Sequence, residues 1–208
     1  MVNVQIDKLM MISPVIPVIV INDISDAVPL AQALVRGGLK VLEVTLRTDY
    51  GLAAIKLIKE QVEGVIVGAG TVITPQDCSN AIAAGAEFLV SPGSTAALVD
   101  AAAKSDVPLL AGAATASEVM NLLASGIKHM KFFPAEAAGG VAMLKSIAGP
   151  LPQVKFCPTG GINESLAPSY LALDNVLCIG GTWMLDKKLI AAKDWLAIEA
   201  KARVASQL

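Results

Sequence analysis

Eight short apolar runs punctuate the chain at intervals of roughly 21 to 25 residues: VIPVIVI, KVLEVTL, VIVGAG, EFLVSP, VPLLAG, HMKFFP, QVKFCP and NVLCIGG. Runs of this length, rich in branched aliphatic residues, read as strands. The stretches between them carry helix-end signals. Thr74 before Pro75 predicts an N-cap and a first helical residue. Thr115 with Glu118 three positions later predicts a capping box, and Gly126 predicts the stop of that helix. The turns into the second, fourth and sixth strands are alike: GGLK, AGAE and SGIK each give a glycine stop, a small or apolar residue, then a charge.

Strand alternating with helix eight times predicts an α/β chain closed into a (β/α)8 TIM barrel. An open doubly wound sheet would carry a Gly-rich turn after its first strand, and VINDIS is not one. No Pro/Ser-rich linker or composition break interrupts the pattern, so residues 1–208 read as one domain.

The polar residues that break this pattern carry the chemistry. Strand two, VLEVTLRT, alternates: Leu42, Val44 and Leu46 share one face, and Glu43, Thr45 and Arg47 the other. Parallel strands covered on both sides usually read as continuous aliphatic runs, so the second face meets either a polar cavity or an internal Glu–Arg pair. In strand six, Lys131 sits among apolar residues and shares a face with Phe133, opposite Met130 and Phe132. A buried ammonium is costly unless it is paired or gives up its proton, so Lys131 is a snorkelling residue, an ion-pair member or a lysine kept for reaction. Lys155 is its rival, but it stands at the start of strand seven, away from the mouth where barrels place active groups.

Composition narrows the field. Of 208 residues 54% are hydrophobic and only 4% aromatic, which suits alanine-rich helices and aliphatic strands. The run SPVIPVIVI is too short to span a membrane and holds two prolines, and no basic segment with a cleavage site precedes it. A net charge of −2 without a basic stripe argues against nucleic acid. Cys78, Cys157 and Cys178 are scattered, and with His129 alone beside them they support neither a disulfide framework nor a metal site. The expected setting is cytoplasmic, with no cofactor.

Two glycine pairs follow strands seven and eight, in PTGGIN and CIGGTW. Phosphate-binding barrels place their cradle in these loops, where glycine lets backbone N–H groups approach an anion and a following helix adds its dipole. Thr159 and Thr182 can add hydroxyl donors. A lysine, a carboxylate, a guanidinium and a phosphate cradle at one mouth suit imine chemistry. A desolvated lysine beside a cation gives up its proton more easily, and the free amine attacks a ketone. Glu43 then serves as the base, and Arg47 grips a substrate carboxylate.

The blocks VLEVTLRT, VGAGTV, SPG, KFFPAE, FCPTGGI and CIGGTW resemble the 2-keto-3-deoxy-6-phosphogluconate (KDPG) aldolases over nearly the whole chain. These class I aldolases also handle 4-hydroxy-2-oxoglutarate (KHG). The resemblance implies a homotrimeric barrel that cleaves KDPG to pyruvate and glyceraldehyde 3-phosphate in the Entner–Doudoroff pathway. It implies Lys131 as the imine lysine and Glu43 as the acid/base. It implies Arg47 and Thr71 on the pyruvate carboxylate, and Pro92 and Phe133 as pocket walls. It further implies Gly160, Gly161, Gly181 and Thr182 on the phosphate, and Thr159 near the substrate hydroxyls. Two positions depart from the family pattern. Ala111 precedes Gly112 where proline is usual, and Thr182 replaces a frequent serine.

Three function classes fit the residues: this aldolase, a phosphate-binding isomerase or synthase in which Lys131 is only a charge, and a non-catalytic relative. The gluconate-type phosphate, its galactonate epimer and hydroxyoxoglutarate are all candidate substrates.

Overall fold

The computed structural model describes residues 5–208. Its eight strands are β1 (Val15–Ile19), β2 (Val41–Thr45), β3 (Ile66–Gly70), β4 (Leu89–Val90), β5 (Leu109–Ala113), β6 (His129–Phe132), β7 (Lys155–Pro158) and β8 (Ile179–Gly181). Seven lie inside one of the apolar runs, and β5 passes the end of VPLLAG by one residue, Ala113. All ladders are parallel, in the order β7-β6-β5-β4-β3-β2-β1-β8. Single bridges, Phe156 to Val176 and Thr159 to Gly180, join β7 to the β8 side and close the barrel.

The strands are shorter than the runs that announce them. Ile21, Leu46, Pro92 and Phe133 fall past the last ladder residue, because the chain leaves the sheet there to build the mouth loops. The expected strand face of Arg47 is therefore a loop position.

Helix α1 (Ile6–Met10) precedes the barrel, and α2 (Ala27–Arg36), α3 (Gly51–Gln61), α4 (Pro75–Ala83), α5 (Ala96–Ala103) and α6 (Ala116–Ala124) follow the first five strands. Then come α7 (Gly140–Ala148), α8 (Ala167–Leu171), α9 (Lys187–Ala191) and α10 (Trp195–Ala205). Both predicted starts are present: Thr74 caps α4 with Asp77 completing a capping box, and Thr115 caps α6 with Glu118. The likeness of GGLK, AGAE and SGIK is geometric. Gly38, Gly85 and Gly126 have φ of +99°, +96° and +82°. In each, the glycine N–H bonds a carbonyl three residues back and the next N–H one five residues back, the Schellman stop. Glycine takes this left-handed turn without the penalty a Cβ would bring.

Parity divides the strands as expected. Leu42, Val44, Met130 and Phe132 pack in the main core, between barrel and helices. The alternate residues fill the barrel in layers. The floor is apolar: Ile16, Val41, Phe88, Leu110, Cys157 and Cys178 cluster there, sealed by Leu9 and Met10 of α1. Gly68 leaves room for the Phe88 ring, since a Cβ there would stand 2.5 Å from it. One layer nearer the mouth, the filling turns polar.

Candidate active site

Glu43 and Lys131 meet inside the barrel, each only 3% exposed. Lys131 Nζ donates to Glu43 Oε1 at 3.1 Å and to Oε2 at 3.4 Å. The internal Glu–Arg pair is thus absent. Glu43 pairs with Lys131, while Arg47 donates from Nε to Thr71 Oγ1 at 3.1 Å. The direct partner of Lys131 is therefore a carboxylate. Nζ also lies 5.5 Å from the centre of the Phe133 ring, as their shared face predicted.

The neighbours of this pair explain its room. In the ladders Lys131 stands beside Gly112 on β5 and Cys157 on β7. A Cβ on Gly70 would come within 2.2 Å of Glu43 Oε1, so the glycine ending β3 makes the carboxylate's space. Thr71 follows directly and takes φ of +61°, a conformation uncommon for a side-chain-bearing residue. This turn presents its hydroxyl to Arg47. Across the mouth, Gly112 lies under Pro92, whose carbonyl group a Cβ would strike at 2.3 Å. The Ser91 hydroxyl accepts from the Gly112 N–H at 3.2 Å and holds that loop down. Ala111, one of the two departures from the family pattern, lies within β5 and is fully buried on its outer face.

The glycine pairs border the same mouth. Gly160 and Gly161 have φ of +106° and +81°, and Gly160 packs against the Phe133 ring. Gly181 is held bare by Trp183, whose ring would meet a Cβ at 2.0 Å. Neither pair opens a helix. Helix α8 begins only at Ala167 and α9 only at Lys187, so the expected dipole is absent and the donors are loop amides. Among the described residues, the Gly161 and Thr182 N–H groups have no acceptor within the chain. Thr159 is 7% exposed, and its Oγ1 has no hydrogen-bond partner, an orphan that a ligand hydroxyl or a water would satisfy. It fits only because Gly180 is bare, as a Cβ there would stand 2.2 Å from that oxygen. Thr182 is exposed and borders a cavity of about 330 Å³ beside β1 and α9.

The rival residues lie elsewhere. Lys155 donates to the Asp174 carbonyl at 2.8 Å at the far end of β7. His129, half-buried at the start of β6, is pushed toward its neutral form by burial. No three His, Cys, Asp or Glu side chains among the described residues are grouped to hold a metal ion. No helix among them is long and apolar enough to cross a membrane. Sequence reading missed Gly70, Ser91 and Gly112 as supports. A glycine inside a strand does signal a close approach, but not of what.

A buried ion pair with no further hydrogen bonds contributes little to stability, because desolvation offsets attraction. Replacing both partners by Lys131→Met with Glu43→Leu is expected to leave stability unchanged or raise it by up to about 4 kcal/mol. Lys131→Met alone should cost about 3–5 kcal/mol by stranding a carboxylate. Urea unfolding of the two variants measures the difference. A double variant as unstable as the single one would make the pair structural.

Residues 6–201 match the family model described as KDPG and KHG aldolase. The KHG/KDPG aldolase of Escherichia coli K12 is 49% identical over 199 residues, covering 96% of this chain and 93% of its own. The KDPG aldolase of Legionella pneumophila, whose crystal structure holds pyruvate as a covalent carbinolamine, superposes with a TM-score of 0.96. It is 48% identical over 98% of this chain and 99% of that one. The Zymomonas mobilis ZM4 enzyme, solved with 3-phosphoglycerate, gives a TM-score of 0.91 at 50% identity, covering 97% and 95% of the two chains. Agreement of this extent, on a barrel with a buried Lys–Glu pair at its mouth, makes the chain a member of the KDPG and KHG aldolase family.

Proposed function

We propose that this protein is a class I aldolase that cleaves KDPG to pyruvate and glyceraldehyde 3-phosphate, and KHG to pyruvate and glyoxylate. The observation that carries the reading is the direct contact between Lys131 Nζ and Glu43 in a water-poor layer of the barrel. At 3.1 Å a proton can pass between them without a relay. The pair suits a lysine that must shed a proton to attack and a carboxylate that must take one up.

In this mechanism the free Lys131 amine adds to the substrate's C2 carbonyl, giving a carbinolamine that loses water to form a protonated imine. Glu43 removes the proton of the C4 hydroxyl. The C3–C4 bond then breaks, its electrons flow into the imine, and the aldehyde leaves. The resulting enamine takes a proton at C3 from Glu43, and water releases pyruvate and the free lysine. No step calls for a metal. Arg47 and Thr71, already hydrogen-bonded to each other, grip the carboxylate, and Pro92 and Phe133 wall the pyruvyl group. Thr159 meets a substrate hydroxyl through its unpartnered Oγ1. The free N–H groups of Gly161 and Thr182, with Gly160 and Gly181 beside them, receive the phosphate.

The phosphate reading is tested at Thr182, where exposure lets the fold tolerate a change. Thr182→Glu is expected to raise KM for KDPG at least about tenfold, or 1.4 kcal/mol. KHG, which lacks phosphate, should change little. Steady-state pyruvate release from each substrate, with and without EDTA, checks both claims. Equal damage to both substrates would remove the phosphate role, and an EDTA loss restored by a divalent ion would remove the imine mechanism.

A homotrimer belongs to the same proposal. Tyr50 and Ile73, on the loops after β2 and β3, stand 43% and 57% exposed, as residues awaiting a subunit contact would. Sedimentation equilibrium at close to three times 21.4 kDa is the expected result, and a monomer at micromolar concentration would contradict it.

A further inference from the structure

The loop after β6 and the loop after β7 are bonded into one unit. Ala135 N–H donates to the Thr159 carbonyl at 2.8 Å, and Glu136 N–H to the Gly160 carbonyl at 3.1 Å. The Glu136 side chain then lies against bare Gly161, where a Cβ would stand 2.7 Å from its own Cβ. Its carboxylate accepts a hydrogen bond from the hydroxyl of Tyr170 on α8. That tyrosine is wholly buried, and Glu136 is its hydroxyl's hydrogen-bond partner. Gly140, at φ of +57°, leaves the space above the contact, since a Cβ there would stand 3.1 Å from the hydroxyl. No step of the mechanism uses either residue.

We infer that Glu136 and Tyr170 are positioning residues that hold the Gly160–Gly161 loop in register with the strand bearing Lys131, and so set how well a phosphorylated substrate is held while its C2 carbonyl meets the lysine. The inference rests on the phosphate reading above. A carboxylate accepting from a hydroxyl makes a strong and directional bond, so the contact can fix a loop that glycine leaves loose. Burial, and the carboxylate beside it, push the Tyr170 phenol up, so it remains a donor at any pH at which the enzyme works. The loop next to Lys131 and Phe133 reaches every substrate, whereas the distance to Gly161 concerns only one carrying phosphate. Slackening the latch therefore separates the two substrates.

Tyr170→Phe removes one oxygen and keeps the buried ring. It is expected to raise KM for KDPG about fivefold or more, with kcat for KHG and borohydride trapping of pyruvate within twofold of wild type. Glu136→Ala should act alike, and combining the two should add nothing further, as two halves of one contact do. Glu136→Gln keeps an acceptor oxygen and should retain a KM no more than twofold above wild type. Proportionate losses on both substrates, no change on either, or a Glu136→Gln as impaired as Glu136→Ala would each overturn the inference. A wild-type enzyme that does not favour KDPG over KHG would instead overturn the phosphate reading itself. Thermal melts of each variant check that the KM values compare folded proteins.

Discussion

Borohydride added with pyruvate is expected to inactivate the enzyme irreversibly and to leave one reduced pyruvyl group on Lys131. The neutral amine condenses with the ketone, and hydride reduces the imine to a secondary amine that water cannot cleave. Lys131 is singled out by its surroundings. It stands 3% exposed, with a carboxylate within hydrogen-bonding distance and an aromatic ring beside it. Lys155, by contrast, is tied to a carbonyl at the opposite end of its strand. Peptide mapping that places the label on Lys155, or finds none, would overturn the assignment. Lys131→Met removes the nucleophile with nothing to replace it, and kcat should fall by up to about 10⁶, the scale seen when a covalent nucleophile is deleted.

Glu43→Gln separates imine formation from proton transfer. Glutamine keeps the shape and one acceptor for the lysine but cannot take a proton. Positioned acid–base groups contribute about 10²- to 10⁴-fold, so exchange of deuterium into the methyl group of pyruvate should fall by that order. Trapping on Lys131 should remain detectable, because addition of the amine needs only a fraction of it unprotonated. Wild-type exchange in this variant would show that another group moves the proton. Loss of trapping together with exchange would assign Glu43 to imine formation instead, and the 3.1 Å contact would be its means.

Much of this was legible in one dimension because local rules govern it. Strand positions follow from apolar runs, and the N-cap at Thr74 and the capping box at Thr115 involve residues at most three apart. The Schellman stops at Gly38, Gly85 and Gly126 depend on a few neighbouring peptides. Parity put Glu43 on one face with Thr45 and Arg47, and Lys131 on one face with Phe133, since side chains alternate along a strand. Helix α1 escaped notice, being five residues long and too short for a helical period to register.

The pairing itself was not legible. Glu43 and Lys131 are 88 residues apart, and parity names a face without naming what lies across the barrel. That is why a Glu–Arg pair stood as an alternative until the closed sheet put Lys131 opposite and sent Arg47 to Thr71. The glycine pairs show the same division. Their positions suggested a phosphate cradle, but Gly161 also yields to Glu136, and Gly181 to Trp183. The latch between Glu136 and Tyr170 spans two loops and a helix that no local pattern connects. Sequence alone settled the alternation of strand and helix, the capped helix starts, the glycine stops and which side chains share a strand face, because each depends on backbone sterics and burial within a few residues. Tertiary structure alone decided which charges meet and which glycines are required, because those depend on the stagger and closure of eight strands, a property of no single segment.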